Sequence, residues 1–274
     1  MTNLLRADFR RLVKSRAFQI SAGLMLLLGI GLPLMHYFMF LDYGQFSFDL
    51  YFSDYSVVVI VVLAAFTALF VGTDYSDGTI RNKLIAGHRR SCIYLSNFAV
   101  GLFVGLVLCA AYLVPYLIVG LSLLGDMRDD GVNLILISLA MTASFAAIFN
   151  LVAMLSSSKA RSVVLCFICA IALLYAGVYV SGRLHEPEFY ASSAVMGEDG
   201  NVVEVYNDPN PNYVTGTHRK VMEVLNDANP GGQAIGVFTM EEGLKPARLA
   251  LYDLASAVLV TGVGLVLFKR KDLK

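Results

Sequence analysis

The chain has 274 residues, 57% of them hydrophobic and 15% charged, with a mean hydropathy of +0.66 and a formal net charge of zero. Soluble domains are about 45–50% apolar and about 25% charged, so the composition excludes an ordinary soluble domain and points to the membrane. Zero net charge argues against nucleic acid as a main partner.

The N-terminal stretch "LLRADFRRLVKSRAF" places Leu5, Phe9, Leu12 and Val13 on one helical side and Arg6, Arg10, Arg11 and Lys14 on the other. This pattern predicts a helix over 1–16 lying in the membrane interface, its basic side among the headgroups. It serves equally as a positive stop that orients the first span.

Uncharged runs follow at 17–41, 55–73, 91–125, 132–158, 162–182 and 254–268. A membrane-crossing helix needs about 20 apolar residues. The last run reaches that length if it starts near Leu249 with Asp253 at the interface. The predicted fold is therefore all-α and polytopic, with six spans near 17–41, 54–72, 96–124, 132–155, 162–181 and 249–268. The first run is too long for a cleaved signal peptide. The third is too long for one crossing, so it is expected to extend beyond the membrane at its Ser91 end, with Pro115 a candidate kink.

With the N-terminus inside, the inner segments hold 15 of the 21 basic residues and four of the 21 acids, Asp8, Asp74, Asp77 and Asp272. The positive-inside bias places both termini in the cytoplasm.

Between the second and third spans lies "TDYSDGTIRNKLIAGHRRSCIYLSN", residues 73–97, with six charges. At about 2.5 kcal/mol or more per central charge, burying all six in lipid would cost on the order of 15 kcal/mol. The segment must lie at the inner face. Asp77-Gly78-Thr79 supplies a turn and a cap, Ile80 to Ala86 a short helix, and Gly87 a left-handed stop. Ile80, Leu84 and Ile85 share one side of that helix, ringed by Arg81, Asn82 and Lys83. The residues alone leave two readings open: a small docking surface, or an amphipathic loop resting on headgroups.

Within the spans, Asn97 and Asn150 need partners, and interhelical hydrogen bonds are the commoner answer. Gly101 and Gly105 form a GxxxG suited to close helix packing. No acid or base is expected deep in a span, which disfavours an ion channel or a proton-driven pump. Cys166 and Cys169 form a CxxC in an apolar helix, where cysteine behaves as a small hydrophobe.

A segment of about 65 residues, 182–248, is predicted outside between the fifth and sixth spans. "SSAVMGEDGNVVEVY" carries Asp199-Gly200 between β-prone runs, a hairpin signal. Thr217 is placed to cap a helix through "HRKVMEVLNDA", ended by Pro230. "QAIGVFTM" is apolar but too short to span, and fits an interfacial or re-entrant piece.

No catalytic set emerges. The chain has no phosphate-binding loop; "HEPE" at His185 lacks the second histidine of a zincin; the four histidines form no ligand set. An enzyme is not expected.

The loop then carries a resemblance. "DYSDGTIRNKLIAGHRRSCIYLSN", set between the second and third of six spans, resembles the cytoplasmic loop of permease subunits of type-2 ATP-binding-cassette exporters, similar to Gram-positive peptide or antibiotic export and self-resistance permeases. Asp77, Gly78, Thr79, Gly87 and Arg89 match that pattern, although the leading acid is often glutamate, leaving Asp74 or Asp77 for the role. The basic N-terminal helix, the outer segment with its "NPGGQ", and the closing "FKRKDLK" fit as well. The resemblance implies a coupling region over 73–95 built from Asp74, Asp77, Gly78, Thr79, Ile80, Arg81, Lys83, Leu84, Gly87 and Arg89. It further implies an ATPase subunit that binds ATP and Mg, a second permease half, a bacterial plasma-membrane location, and an amphipathic or hydrophobic cargo. Asn97, Asn150 and Tyr175 are the candidate pathway residues. The alternative is a non-transporting sensor or scaffold, whose outer segment binds a ligand and whose inner loop recruits a partner.

Overall fold

A computed structural model describes residues 2–41, 47–196 and 202–272, with backbone only for 191–196 and 202–207. Its helices are α1 (Thr2–Lys14), α2 (Arg16–Phe40), α3 (Tyr55–Ser76), α4 (Thr79–Ile85), α5 (Arg90–Leu123), α6 (Gly131–Leu155), α7 (Lys159–Leu184), α8 (Gly216–Ala228), α9 (Pro230–Phe238) and α10 (Pro246–Arg270). Strands β1 (Phe189–Met196) and β2 (Val202–Pro209) pair antiparallel, with Val195 opposite Val203. Asp199-Gly200 falls outside the described residues.

Among the described residues, six helical stretches are long and apolar enough to cross a membrane: α2, Phe48–Ser76, α5, α6, α7 and α10. The architecture is consistent with an all-α polytopic membrane protein. Large apolar side chains face outward on α2 (Ile20, Leu27, Phe38), α7 (Ile168, Ile171) and α10 (Leu251, Leu259). Water would penalise such a surface and lipid solvates it. At 34 residues, α5 is about 50 Å long, well beyond a core of about 30 Å, and Pro115 sits within it.

The centre is formed by α3 and α6, against which the other long helices pack. Small residues let backbones approach: a Cβ built on Gly105 would lie 3.2 Å from Thr142 Cβ, and one on Gly101 3.9 Å from Ala146 Cβ. The GxxxG is therefore used inside the chain, between α5 and α6. Polar side chains cross between helices, as in a bundle that cannot rely on the hydrophobic effect for cohesion. Tyr55 Oη donates to Ser138 Oγ (2.9 Å) and Tyr116 Oη to the Phe48 carbonyl (2.8 Å).

Two expectations are corrected. The inward row of α1 is Leu4, Asp8 and Leu12, whereas Val13 is exposed, because α1 packs against α5. The residue at the N-terminal cap position of α8 is Thr215, not Thr217. Asp253 of α10 is 1% exposed, and its Oδ1 accepts from Ser144 Oγ of α6 at 2.8 Å.

"QAIGVFTM" belongs to α9, which is buried among α3, α6 and α7 rather than lying on a surface. Asn229 caps it, accepting from the Gly231 amide (3.0 Å) and donating to the Leu173 carbonyl (3.0 Å). Leu173 lies 11 residues before the end of α7, about 16 Å in at 1.5 Å per residue. Backbone too short to span needs protein cover inside a membrane, and here Ser56 Oγ donates to the Ala234 carbonyl at 3.0 Å and Ser53 Oγ to the Phe238 carbonyl at 2.9 Å.

Candidate functional site

The segment 73–97 forms a short helix held between two long ones. Gly78 has φ of +67° and turns the chain out of α3. It occupies the N-cap position, so Thr79 is the first helical residue and no side chain caps α4. At the other end Gly87, φ +84°, donates to the Leu84 carbonyl (2.9 Å), and the His88 amide donates to the Lys83 carbonyl (3.1 Å). That bond pair is a Schellman stop, which needs the left-handed conformation glycine adopts at little cost.

Ionic bonds hold α4 to two other helices, and a hydrogen bond carries the link on to a third. Lys83 Nζ lies 2.8 Å from Asp8 Oδ1 of α1 and 3.1 Å from Asp74 Oδ2 of α3. Ser96 Oγ of α5 donates to Asp8 Oδ2 at 2.6 Å. Arg11 of α1 pairs with Asp74 Oδ1 and lies over the Phe70 ring at 3.8 Å. Two carboxylates thus face two cations, with Asp8 and Asp74 both buried. Burial draws the Lys83 ammonium below its ordinary pKa, and the Asp8 carboxylate opposes that shift. Arg11 is lowered for the same reason, with Asp8 and Asp77 opposing.

This arrangement reverses the expected faces of α4. Ile80 is 2% exposed and Leu84 packs against the core, so these two anchor the helix inward. Ile85 is 84% exposed, and Arg81, Asn82, Ala86 and Gly87 surround it at the surface. A seven-residue amphipathic helix has one well-filled apolar side, and the ends of α3 and α5 claim it. Asp77 and Arg89 are exposed, whereas Asp74 and Lys83 act from inside.

The C-terminal end of α10 reaches the same region. Arg90 Nη1 donates to the carbonyls of Lys269 (3.0 Å) and Lys271 (2.5 Å), satisfying acceptors that a helix end leaves open. Lys271 Nζ donates to Tyr75 Oη (2.9 Å) and to the Met154 (3.0 Å) and Ser156 (2.5 Å) carbonyls. Burial, with Arg161 nearby, lowers the Lys271 pKa to about 8. A groove of about 680 Å³ opens between the end of α3, α4 and this tail, lined by Asp74, Tyr75, Gly78, Arg81 and Lys271 among others.

The candidate pathway residues do not converge. Asn97 and Asn150 are buried between α5 and α6, where Asn150 Nδ2 donates to the Tyr94 carbonyl (3.4 Å) and Asn97 Nδ2 lies 3.4 Å from Met154 Sδ. Tyr175 is 71% exposed on α7. Among the described residues, no group of three or more His, Cys, Asp or Glu is placed to hold a metal ion.

Asp8, Arg11, Ser96 and Lys271 escaped the sequence reading as parts of this region. Asp8 alone left a signal, as an acid in the apolar row Leu4–Asp8–Leu12. No model of a known protein family matches the chain, and a search of curated proteins gives no match either.

Proposed function

We propose that the chain is the membrane-spanning subunit of a bacterial type-2 ATP-binding-cassette exporter, with both termini cytoplasmic and α4 as the element that couples it to a separate ATPase subunit. One observation carries this reading: α4 is a short helix with a glycine stop, joined by buried charges to α1 and α3 and through Asp8 to Ser96 of α5, that turns a single apolar residue, Ile85, outward in a polar surround. A helix that merely rested on headgroups would need no internal ionic brace. A lever does, because a push on α4 must reach α1, α3 and α5 together. Rigid elements packed in discrete arrangements suit a two-state change of access.

On this reading ATP and Mg are bound by the partner subunit, and α1 lies at the cytoplasmic interface. A second permease half completes the pathway, and the cargo class is amphipathic or hydrophobic. Ile85 with Arg81 and Asn82 is the ATPase contact; Asp74 and Lys83 position it.

Co-expression with the candidate ATPase subunit tests this assignment. Ile85→Asp with Arg81→Glu is expected to reduce the ATPase recovered on the tagged permease at least about tenfold, the effect of losing about 1.4 kcal/mol at a contact centre. The variant's thermal unfolding should stay near that of the parent, since both side chains are exposed. Unchanged recovery together with unchanged ATP-driven transport would overturn the assignment.

A further inference from the structure

A second groove, of about 550 Å³, lies where α1 bends into α2 and faces the last turns of α3 and the first turn of α7. Its lining divides by chemistry. Arg11, Lys14, Arg16 and Lys159 supply four cations against one acid, Asp77, while Ala17, Ile20, Leu69 and Phe70 form an apolar wall. Among the described residues no carboxylate pairs with Lys14, Arg16 or Lys159. Arg11 commits its Nη1 to Asp74, yet its Nε and Nη2 are buried without a hydrogen-bond partner. Buried donors without acceptors are uncommon, and Arg11 itself lines a cavity with an excess of positive charge. The first turn of α2 opens on the same space, and Ser15 at its cap position makes no side-chain capping bond.

We infer that this groove binds the headgroup phosphate of one anionic phospholipid, with the start of an acyl chain lying along Ile20 and Leu69. Charge complementarity selects the anion: clustered Lys and Arg beside membrane helices attract acidic lipid, and free guanidinium N–H groups hold phosphate oxygens well. The apolar wall selects a lipid over a free phosphate. Ile20 is 71% exposed on the outer side of α2, so the groove opens sideways onto the surface where lipid tails would lie. The phosphate would share Arg11 with Asp74 and so bear on the brace that holds α4. The site rests on the membrane embedding of the chain and stands whether or not α4 contacts an ATPase.

The test is native mass spectrometry of the full chain in detergent, titrated with phosphatidylglycerol, with phosphatidylcholine of identical acyl chains, and with inorganic phosphate. The parent protein is expected to hold one phosphatidylglycerol at least about tenfold more tightly than phosphatidylcholine, and millimolar inorganic phosphate should not displace it. Lys14→Gln with Lys159→Gln, both exposed positions, should remove most of that preference, at about fivefold for each charge lost as an upper limit. Lys269→Gln with Arg270→Gln, on the same face but outside the groove, should leave it unchanged. Equal retention of the two lipids by the parent, an undiminished preference in the Lys14/Lys159 variant, or displacement of phosphatidylglycerol by inorganic phosphate would each overturn the site.

Discussion

Lys83 shows what the charges around α4 do. Its ammonium faces Asp8 and Asp74 from a largely buried position, and burial outweighs the attraction of Asp8 enough to lower its pKa. A bridge of this kind adds little net stability over apolar packing, but breaking it leaves a charge stranded. Its value is positional: one side chain fixes α4 to α1 and α3. Lys83→Met is expected to cost about 3 kcal/mol, the low end for removing one partner of a buried pair, since Lys83 keeps some solvent contact. Adding Asp8→Asn should recover about 1–2 kcal/mol, because the amide carries no charge to strand. Thermal unfolding of the single and double variants in detergent measures this, and strictly additive losses would show that the two residues are not coupled.

At the level of elements, local signals were legible and partnerships were not. Six spans, the stop at Gly87 and two strands flanking 197–201 follow from runs of apolar residues and from glycine chemistry, both of which act within a few residues. The face that α4 turns inward does not follow. Ile80, Leu84 and Ile85 look equivalent along the sequence, and only the positions of α3 and α5 decide that Ile80 is buried and Ile85 is not. The partner of Asp253 was hidden for the same reason, since Ser144 lies 109 residues away. The burial of α9 depends on a contact sequence alone cannot show. A Cβ on Gly231 would meet the Leu173 carbonyl oxygen at 2.1 Å, a backbone atom of a long helix that has no room to yield. Gly231→Ala should therefore cost more than Gly87→Ala, for which the left-handed backbone accounts for about 1 kcal/mol and the space around it is open. Pulse proteolysis on both variants compares them. Equal losses would mean that α9 is not wedged against α7.

For the whole molecule, the decisive property is that the charged ends gather on one face. Contacts through Asp8, Arg11, Asp74, Lys83, Arg90 and Lys271 join α1, the end of α3, α4, the start of α5, the end of α6 and the end of α10. The α6–α7 connection lies at that face too, where Ser157 lines the groove with Lys271. The acids of the chain concentrate in the opposite connections, 126–130 and 183–246. A membrane potential and an anionic inner leaflet both favour the basic face inside. Cysteine labelling checks the orientation in a background with Cys92→Ser. Arg81 and Thr217 are both exposed, so neither site is masked by packing. Thr217→Cys in intact cells should react with a membrane-impermeant maleimide, and Arg81→Cys should react only after permeabilisation. Lys83 would be a poor reporter, since its side chain is 11% exposed and silence there would reflect burial. Labelling of Arg81→Cys in intact cells would invert the topology, placing α4 out of reach of any cytoplasmic ATPase.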